Sequence, residues 1–247
     1  MLIVTHFRTS ATALEADAHY VRAAQLTSRP GTLPAITIPV AGRRWPDVDE
    51  IWSHLQEPAE FFGVTMPDVD ALSAALGAFA ATATAAWIAA SVVIVETDQG
   101  SEVAVSGVAV QPWRQEPVVV AVDDSVPPAH RASDPWWRRM AARTTSRAEV
   151  DQRERWLRGL GWADVVSGGV PLLGALVVET PDGCVGVENP EPTSVLDQLA
   201  ACGWTARVTA AATVPADVTR AWWVSPRFET HPVAELAGAS LPFERWS

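Results

Sequence analysis

Trp136-Trp137-Arg138-Arg139-Met140-Ala141-Ala142-Arg143-Thr144-Thr145-Ser146-Arg147 holds four arginines and no lysine. The stretch leads out of a strand and loop into an amphipathic helix, and the rest of the chain is organised around it. The same substitution of one cation for another runs through all 247 residues: the 18 basic Lys+Arg side chains are all arginine. Chemistry follows from that. An imine between a side chain and a carbonyl cofactor needs a primary amine that can lose its proton, whereas the delocalised guanidinium stays charged and is a poor nucleophile.

Composition bounds the remaining possibilities. Hydrophobic residues make up 48% of the chain, enough for one large or two smaller cores, and the formal net charge is -11. No arginine stripe stands out to neutralise a phosphate backbone, so no nucleic acid partner is expected. The two cysteines, Cys184 and Cys202, have no C-x-x-C spacing and read as reduced thiols. The five histidines, His6, His19, His54, His130 and His231, have no metal-ligand spacing. No Gly-x-Ser-x-Gly elbow marks a hydrolase nucleophile.

The opening Met1 to His6 has no basic region followed by a long apolar run, so no signal peptide is expected. Ala78 to Ala90 is apolar but interrupted by Thr82 and Thr84, and reads as a buried helix rather than a membrane span. A cytoplasmic protein without membrane contact is the expectation, and the Ala- and Arg-rich, Lys-free composition suits a GC-rich bacterial genome.

Met1 to Thr5 reads as a strand and Ala13 to Ala24 as a helix, followed by an extended, turn-rich Pro30 to Pro39. Trp45-Pro46-Asp47 starts a helix carrying Ile51, Trp52 and Leu55. Met66-Pro67-Asp68 starts another that should reach about Ala85, with proline near its first turn and acids at the positive end of its dipole. Ser91 to Glu96 and Glu102 to Val110 flank Thr97-Asp98-Gln99-Gly100 as a hairpin, and Val118 to Val122 adds a strand. Asp123 to Pro135 is a proline-rich loop. Thr144, Thr145 and Ser146 can cap the next helix, whose apolar stripe is Val150, Trp156, Leu157 and Leu160, with Gly159 and Gly161 at its weak end.

Leu176 to Glu179 and Cys184 to Val187 bracket Thr180-Pro181-Asp182-Gly183 as a second hairpin. Thr193 to Gly203 is a capped helix, Trp204 to Ala210 a strand, Pro215 to Thr219 a short helical or turn segment, Ala221 to Ser225 a strand, and Pro232 to Leu236 a final short turn. Hairpin-linked strands with helices gathered separately indicate an α+β protein, not a strict βαβ alternation. The expected division is an N-terminal α+β domain over 1–115, a linker over 116–129 and a C-terminal α+β domain over 130–247.

This order of elements resembles the class IV pyridoxal-phosphate enzymes, the fold of branched-chain aminotransferases and aminodeoxychorismate lyase. Phe7-Arg8-Thr9 is similar to the family's opening Phe-x-Thr, and Ala18-His19-Tyr20-Val21-Arg22 to its His-x-x-Arg, whose arginine contacts the cofactor phosphate. Arg143-Thr144 stands where the family has its Schiff-base lysine and a small polar residue. Ala221 to Val233 is similar to its last core strand, with Ser225, Arg227 and then Pro232-Val233. The resemblance implies a two-domain class IV aminotransferase fold, like that of D-amino acid aminotransferase, with a cleft between the domains, and by the same token a homodimer.

Three cofactor-holding parts depart from that pattern. Arg143 replaces the lysine. The family's glutamate, which keeps the pyridine nitrogen protonated, should fall in Gly169 to Leu173, where there is no carboxylate; Glu179 could serve only if the hairpin were displaced. The glycine-containing helix start that offers N–H groups to phosphate is trimmed to Asn189-Pro190-Glu191-Pro192-Thr193-Ser194.

The implied protein is therefore a catalytically degenerate homologue, unable to form an internal aldimine, that binds a small molecule or a partner. No cofactor is expected, or pyridoxal phosphate only if bound non-covalently, and no catalytic residue is assigned. Arg22, Arg143, Ser225 and Arg227 are the candidates for holding a small anionic ligand. The alternative is an aminotransferase or aminodeoxychorismate lyase-like enzyme acting on a small anionic amino compound without a covalent lysine. Twelve tryptophans, including Trp136-Trp137 and Trp222-Trp223, supply core or line a cleft or dimer interface.

Overall fold

A computed structural model describes residues 31–97, 100–127, 133–190, 192–204 and 208–242. The sequence patterns read in Met1 to Thr5, Phe7 to Thr9 and Ala13 to Ala24, and the candidate Arg22, lie outside the described residues.

The chain divides into two compact units. The first contains the described residues up to Val110 together with Asp134–Arg147 and Ala201–Gly203; the second contains those of 111–133, Ala148–Ala200 and Trp204 onward. After the expected split at 116–129 the chain thus rejoins the first unit twice. The bonds responsible for the first return run from Ala35 N to the Arg143 carbonyl and from Thr145 N to the Leu33 carbonyl, both 2.9 Å.

In the first unit an antiparallel sheet has the order β1 (Ala35–Ala41), β2 (Trp87–Thr97) and β3 (Gly100–Ala109). Two helices, α1 (Val48–Phe62) and α2 (Val69–Thr82), share its core. Asp47 caps α1 by accepting from Asp49 N at 2.8 Å, and Asp68 caps α2 by accepting from Ala71 N at 2.6 Å. Ile51, Leu55, Pro58 and Ala59 recur at helical spacing and are the buried face of α1; Leu72, Ala75, Leu76, Phe79 and Ala80 are that of α2. Gly107 makes this packing possible: a Cβ there would lie 2.5 Å from Ile88 Cγ2 and 2.8 Å from Phe79 Cζ. The apolar run Ala78 to Ala90 is not one helix, because the chain leaves α2 at Thr82 and enters β2 at Trp87. A short helix, α3 (Trp136–Ala141), completes the unit.

The second unit is built on a mixed sheet with the order β6-β5-β4-β11-β10-β7-β8-β9, and β12 paired to β11. Its strands are β4 (Val118–Val122), β5 (Asp164–Ser167), β6 (Val170–Pro171), β7 (Ala175–Thr180), β8 (Gly183–Glu188), β9 (Thr209–Ala210), β10 (Arg220–Val224), β11 (Thr230–Leu236) and β12 (Ala239–Ser240). Helices α4 (Ala148–Gly159) and α5 (Val195–Ala201) accompany it. The hairpin β7–β8 closes with Thr180 opposite Gly183 and Glu179 opposite Cys184, in the register read from the sequence.

Four further expectations change. Pro232 to Leu236 is not a turn but part of β11, which lies inside the sheet between β4 and β10. Proline suggested an end, yet Pro232 sits opposite Trp222 while the neighbouring residues carry the pairing, and the register shifts by a bulge between Val233 and Glu235. The stripe on α4 is narrower than expected: Leu157 is buried, whereas Trp156 and Leu160 are 40% and 47% exposed. Thr144 and Thr145 do not cap that helix with their hydroxyls, which bond Gly31 O and Gly31 N respectively. Of the strand expected over Trp204 to Ala210, only Thr209–Ala210 is a described strand.

The second unit also contains β5, and with it a buried carboxylate. Asp164 is fully buried and takes N–H bonds from Val165, Leu172, Leu173 and Gly174 and from Trp223 Nε1, at 2.8 to 3.2 Å. Gly174 allows the close approach, since a Cβ would overlap the Val224 carbonyl oxygen. An Asp164→Asn variant would turn an amide N–H₂ toward donors, leaving buried N–H groups without acceptors at about 1–3 kcal/mol each. Urea unfolding followed by circular dichroism should show a loss of about 2–5 kcal/mol; a loss below about 1 kcal/mol would mean that the donors do not depend on this anion.

Candidate functional site

Each predicted site residue among the described residues is held by its own local structure. Arg143 follows α3 in the first unit. Its Nη1 bonds Glu57 Oε2 of α1 at 2.6 Å, with side chains 15% and 48% exposed. Thr144 is buried, its Oγ1 2.8 Å from both the Gly31 and Ala141 carbonyl oxygens. Backbone bonds to β1 and hydroxyl bonds to Gly31 together fix the direction from which the Arg143 side chain leaves.

His54, one turn before Glu57 on α1, shares that environment. Burial and the Arg143 guanidinium lower its pKa from 6.5 to about 3, against a backbone hydrogen bond with Ala35 that acts to raise it. The imidazole is neutral at physiological pH, so it adds no charge beside the Arg143–Glu57 pair.

In the second unit, β8 runs into the start of α5. There the Glu188 carboxylate accepts from Val195 N at 2.8 Å, Leu196 N at 3.2 Å and the Ser194 hydroxyl at 2.5 Å, while Ser194 Oγ accepts from Asp197 N at 2.9 Å. Burial raises the Glu188 pKa, against the three bonds that favour its anion. A side chain of the same chain thus satisfies the first donors of this helix.

Glu179 lies on the undisplaced hairpin, with Arg220 Nε 3.6 Å from its Oε2 and both side chains more than a third exposed. The stretch 169–173 carries no carboxylate, and the acid that addresses its end is Asp164, through Leu172 and Leu173 N–H. Sequence reasoning missed Asp164. Its one signal was a lone acid between Trp162-Ala163 and Val165-Val166, an apolar setting in which an acid must find donors.

Ser225 and Arg227 come together in a tight turn after β10. Ser225 Oγ accepts from Arg227 N at 3.2 Å and Glu229 N at 3.1 Å, and Phe228 takes a left-handed φ of 64°. Glu229 is clamped by Arg114 Nε at 3.0 Å and Nη2 at 2.5 Å. This turn borders a pocket of ≈ 460 Å³, whose other walls include Arg158, Trp162 and Trp223. Among the described residues no group of three His, Cys, Asp or Glu side chains could hold a metal ion, and no helix is long and apolar enough to cross a membrane.

No protein-family model matches the sequence, nor does any curated protein. Solved structures do match over most of the chain. A hypothetical aminotransferase from Mycobacterium tuberculosis in its apo form has a TM-score of 0.64 at 20% identity, with 94% of this chain and 90% of that one covered. A fold IV transaminase from Curtobacterium pusillum gives 0.60 at 16% identity over 93% and 85%. A 4-amino-4-deoxychorismate lyase, so described provisionally, from Legionella pneumophila gives 0.59 at 10% identity over 89% and 92%.

The fold is the class IV aminotransferase fold. Within it, Arg143, Glu188 and Asp164 make internal bonds.

The His54 environment has a measurable consequence. Because its folded pKa lies below its unfolded value, the unfolded chain takes up the proton first as pH falls. Stability attributable to His54 should therefore be intact above about pH 6.5 and decline toward about pH 3. Asp164 and Glu188, with raised folded values, act in the opposite sense, so the measurement is a difference. Wild type should lose roughly 1 kcal/mol per pH unit more than a His54→Gln variant between pH 5 and 4, read from denaturant midpoints. Parallel curves would show that the ring is not held neutral.

Proposed function

We propose that this chain is a class IV homologue without pyridoxal-phosphate catalysis, retained as a small-molecule-binding protein. The observation that carries the reading is the residue standing for the Schiff-base lysine: Arg143 cannot form an imine, and its guanidinium is engaged with Glu57 at 2.6 Å. No lysine elsewhere in the chain could take over.

Two further observations argue that the residues present do not fit the cofactor as the resemblance would hold it. The N–H groups of Val195 and Leu196 at the start of α5 are taken by Glu188, whose negative charge opposes a phosphate. The stretch 169–173 offers no acid to a pyridine nitrogen, and Asp164, fully buried behind it, is committed to five N–H donors. Candidate ligand contacts remain at the turn of Ser225 and Arg227.

Titration with pyridoxal phosphate, alone and then with an amino donor, tests the reading. The visible spectrum should stay that of the free cofactor mixture, and desalting should leave the protein colourless. A saturable protein-dependent band, or amino-group transfer to a keto acid, would overturn it in favour of an enzyme that works without a tethering lysine.

A further inference from the structure

We propose that the pocket beside the Ser225–Glu229 turn binds a small organic monocarboxylate with a flat apolar body. Arg158 and Arg227 would hold the carboxylate, and the indole of Trp162 would face the ring. The proposal deepens the binding half of the function proposed above and rests on it, but it does not depend on the fate of the cofactor.

The pocket lies wholly within the second unit, where the start of β4, the end of β10 and the start of β11 meet the last turns of α4. None of residues 188–195 lines it, so it is separate from the start of α5. At ≈ 460 Å³ it is in the range of small-ligand sites. Its walls are fixed by backbone bonds: Ala163 N donates to Val119 O at 2.9 Å, and Arg114 N donates to Thr230 O at 2.8 Å.

Charge selects the ligand. Arg158 and Arg227 are exposed, and among the described residues neither guanidinium has an ion-pair or hydrogen-bond partner. Of the two lining acids, Glu229 is neutralised by Arg114, and Glu154 stands one helical turn before Arg158 on α4. One positive charge remains in excess.

The pocket also meets the C-terminal end of α4, the negative end of its dipole, which penalises a dianion more than a monoanion. Ser225 Oγ accepts two backbone N–H bonds, so its own hydrogen is left to donate. A planar carboxylate suits a guanidinium fork.

Shape selects the rest of the molecule. Val118, Leu173, Trp162 and Trp223 supply apolar wall. The N–H of Trp223 is spent on Asp164, and its ring lies 5.7 Å from that of His231, so it offers ring surface alone. An aromatic or similarly flat body packs on indole with offset or edge geometry.

The test is titration of the full chain with phenylacetate, followed through the tryptophan indole N–H resonances. Saturable shifts below about 10 mM are expected, with the neutral analogue 2-phenylethanol and inorganic phosphate each binding at least about tenfold more weakly. Arg158→Gln/Arg227→Gln, at exposed positions, should weaken phenylacetate about tenfold or more while leaving the folded spectrum intact; Trp162→Leu should weaken it with both arginines present.

Absence of saturation, equal binding of phosphate or 2-phenylethanol, or unchanged affinity in the double variant would each overturn the proposal. A cofactor band alongside an intact phenylacetate site would overturn only the loss of catalysis, so the two failures are distinguishable.

Discussion

Removing a carboxylate from water costs several kcal/mol unless its oxygens are met by donors, and Asp164 meets that condition at the centre of the second unit. Its two oxygens gather N–H groups from β5, from the segment entering β7 and from the indole of β10. One side chain thereby ties together strands that are far apart in sequence. Burial pushes its carboxyl up, while the donors pull the other way by stabilising the anion. Glycine at 174 belongs to the same arrangement, because only a residue without Cβ leaves room for the Val224 carbonyl and the Trp223 ring. Two pocket-lining residues, Leu173 and Trp223, are direct partners of this carboxylate, so the pocket wall inherits its position from a buried charge.

The same device recurs elsewhere in the chain. Glu188 satisfies the start of α5, Glu57 answers Arg143, and Glu229 answers Arg114. In an acidic chain whose cations are all arginine, internal carboxylates convert potential anion sites into structural bonds. Arg158 and Arg227 escape that fate, and they do so beside apolar surface and an unused hydroxyl hydrogen. The aminotransferase fold and the proposed loss of its covalent chemistry are compatible, since fold is a matter of packing and chemistry a matter of a few side chains.

Much of the fold was legible locally. Asp47 and Asp68 before apolar periodic runs marked two helices, and Asp182-Gly183 between β-branched runs marked a hairpin whose register the structure retains. The failures were also local in origin. Pro232 signalled a turn because proline lacks an N–H, and only the placement of β11 between β4 and β10, with a bulge after Val233, lets that residue sit within a sheet. The apolar positions of α4 exceeded the surface available to bury them, leaving Trp156 and Leu160 outside. Of the candidate site, Ser225 and Arg227 were singled out through the family resemblance of Ala221 to Val233, whereas Arg158 and Trp162 carried no motif and joined them through the meeting of α4 with the sheet.

By itself the sequence determined the α+β class, the two hairpins, the capped helices and the absence of any side-chain amine, because these depend on residue type and short-range spacing. Tertiary structure alone decided that Asp164 is a buried hub, that Arg143 pairs with Glu57, that Glu188 closes the start of α5 and that two arginines remain beside an indole wall. A charge can be read from its letter, but its partner is set by which distant backbone comes within about 3 Å, and that distance exists only in the folded chain.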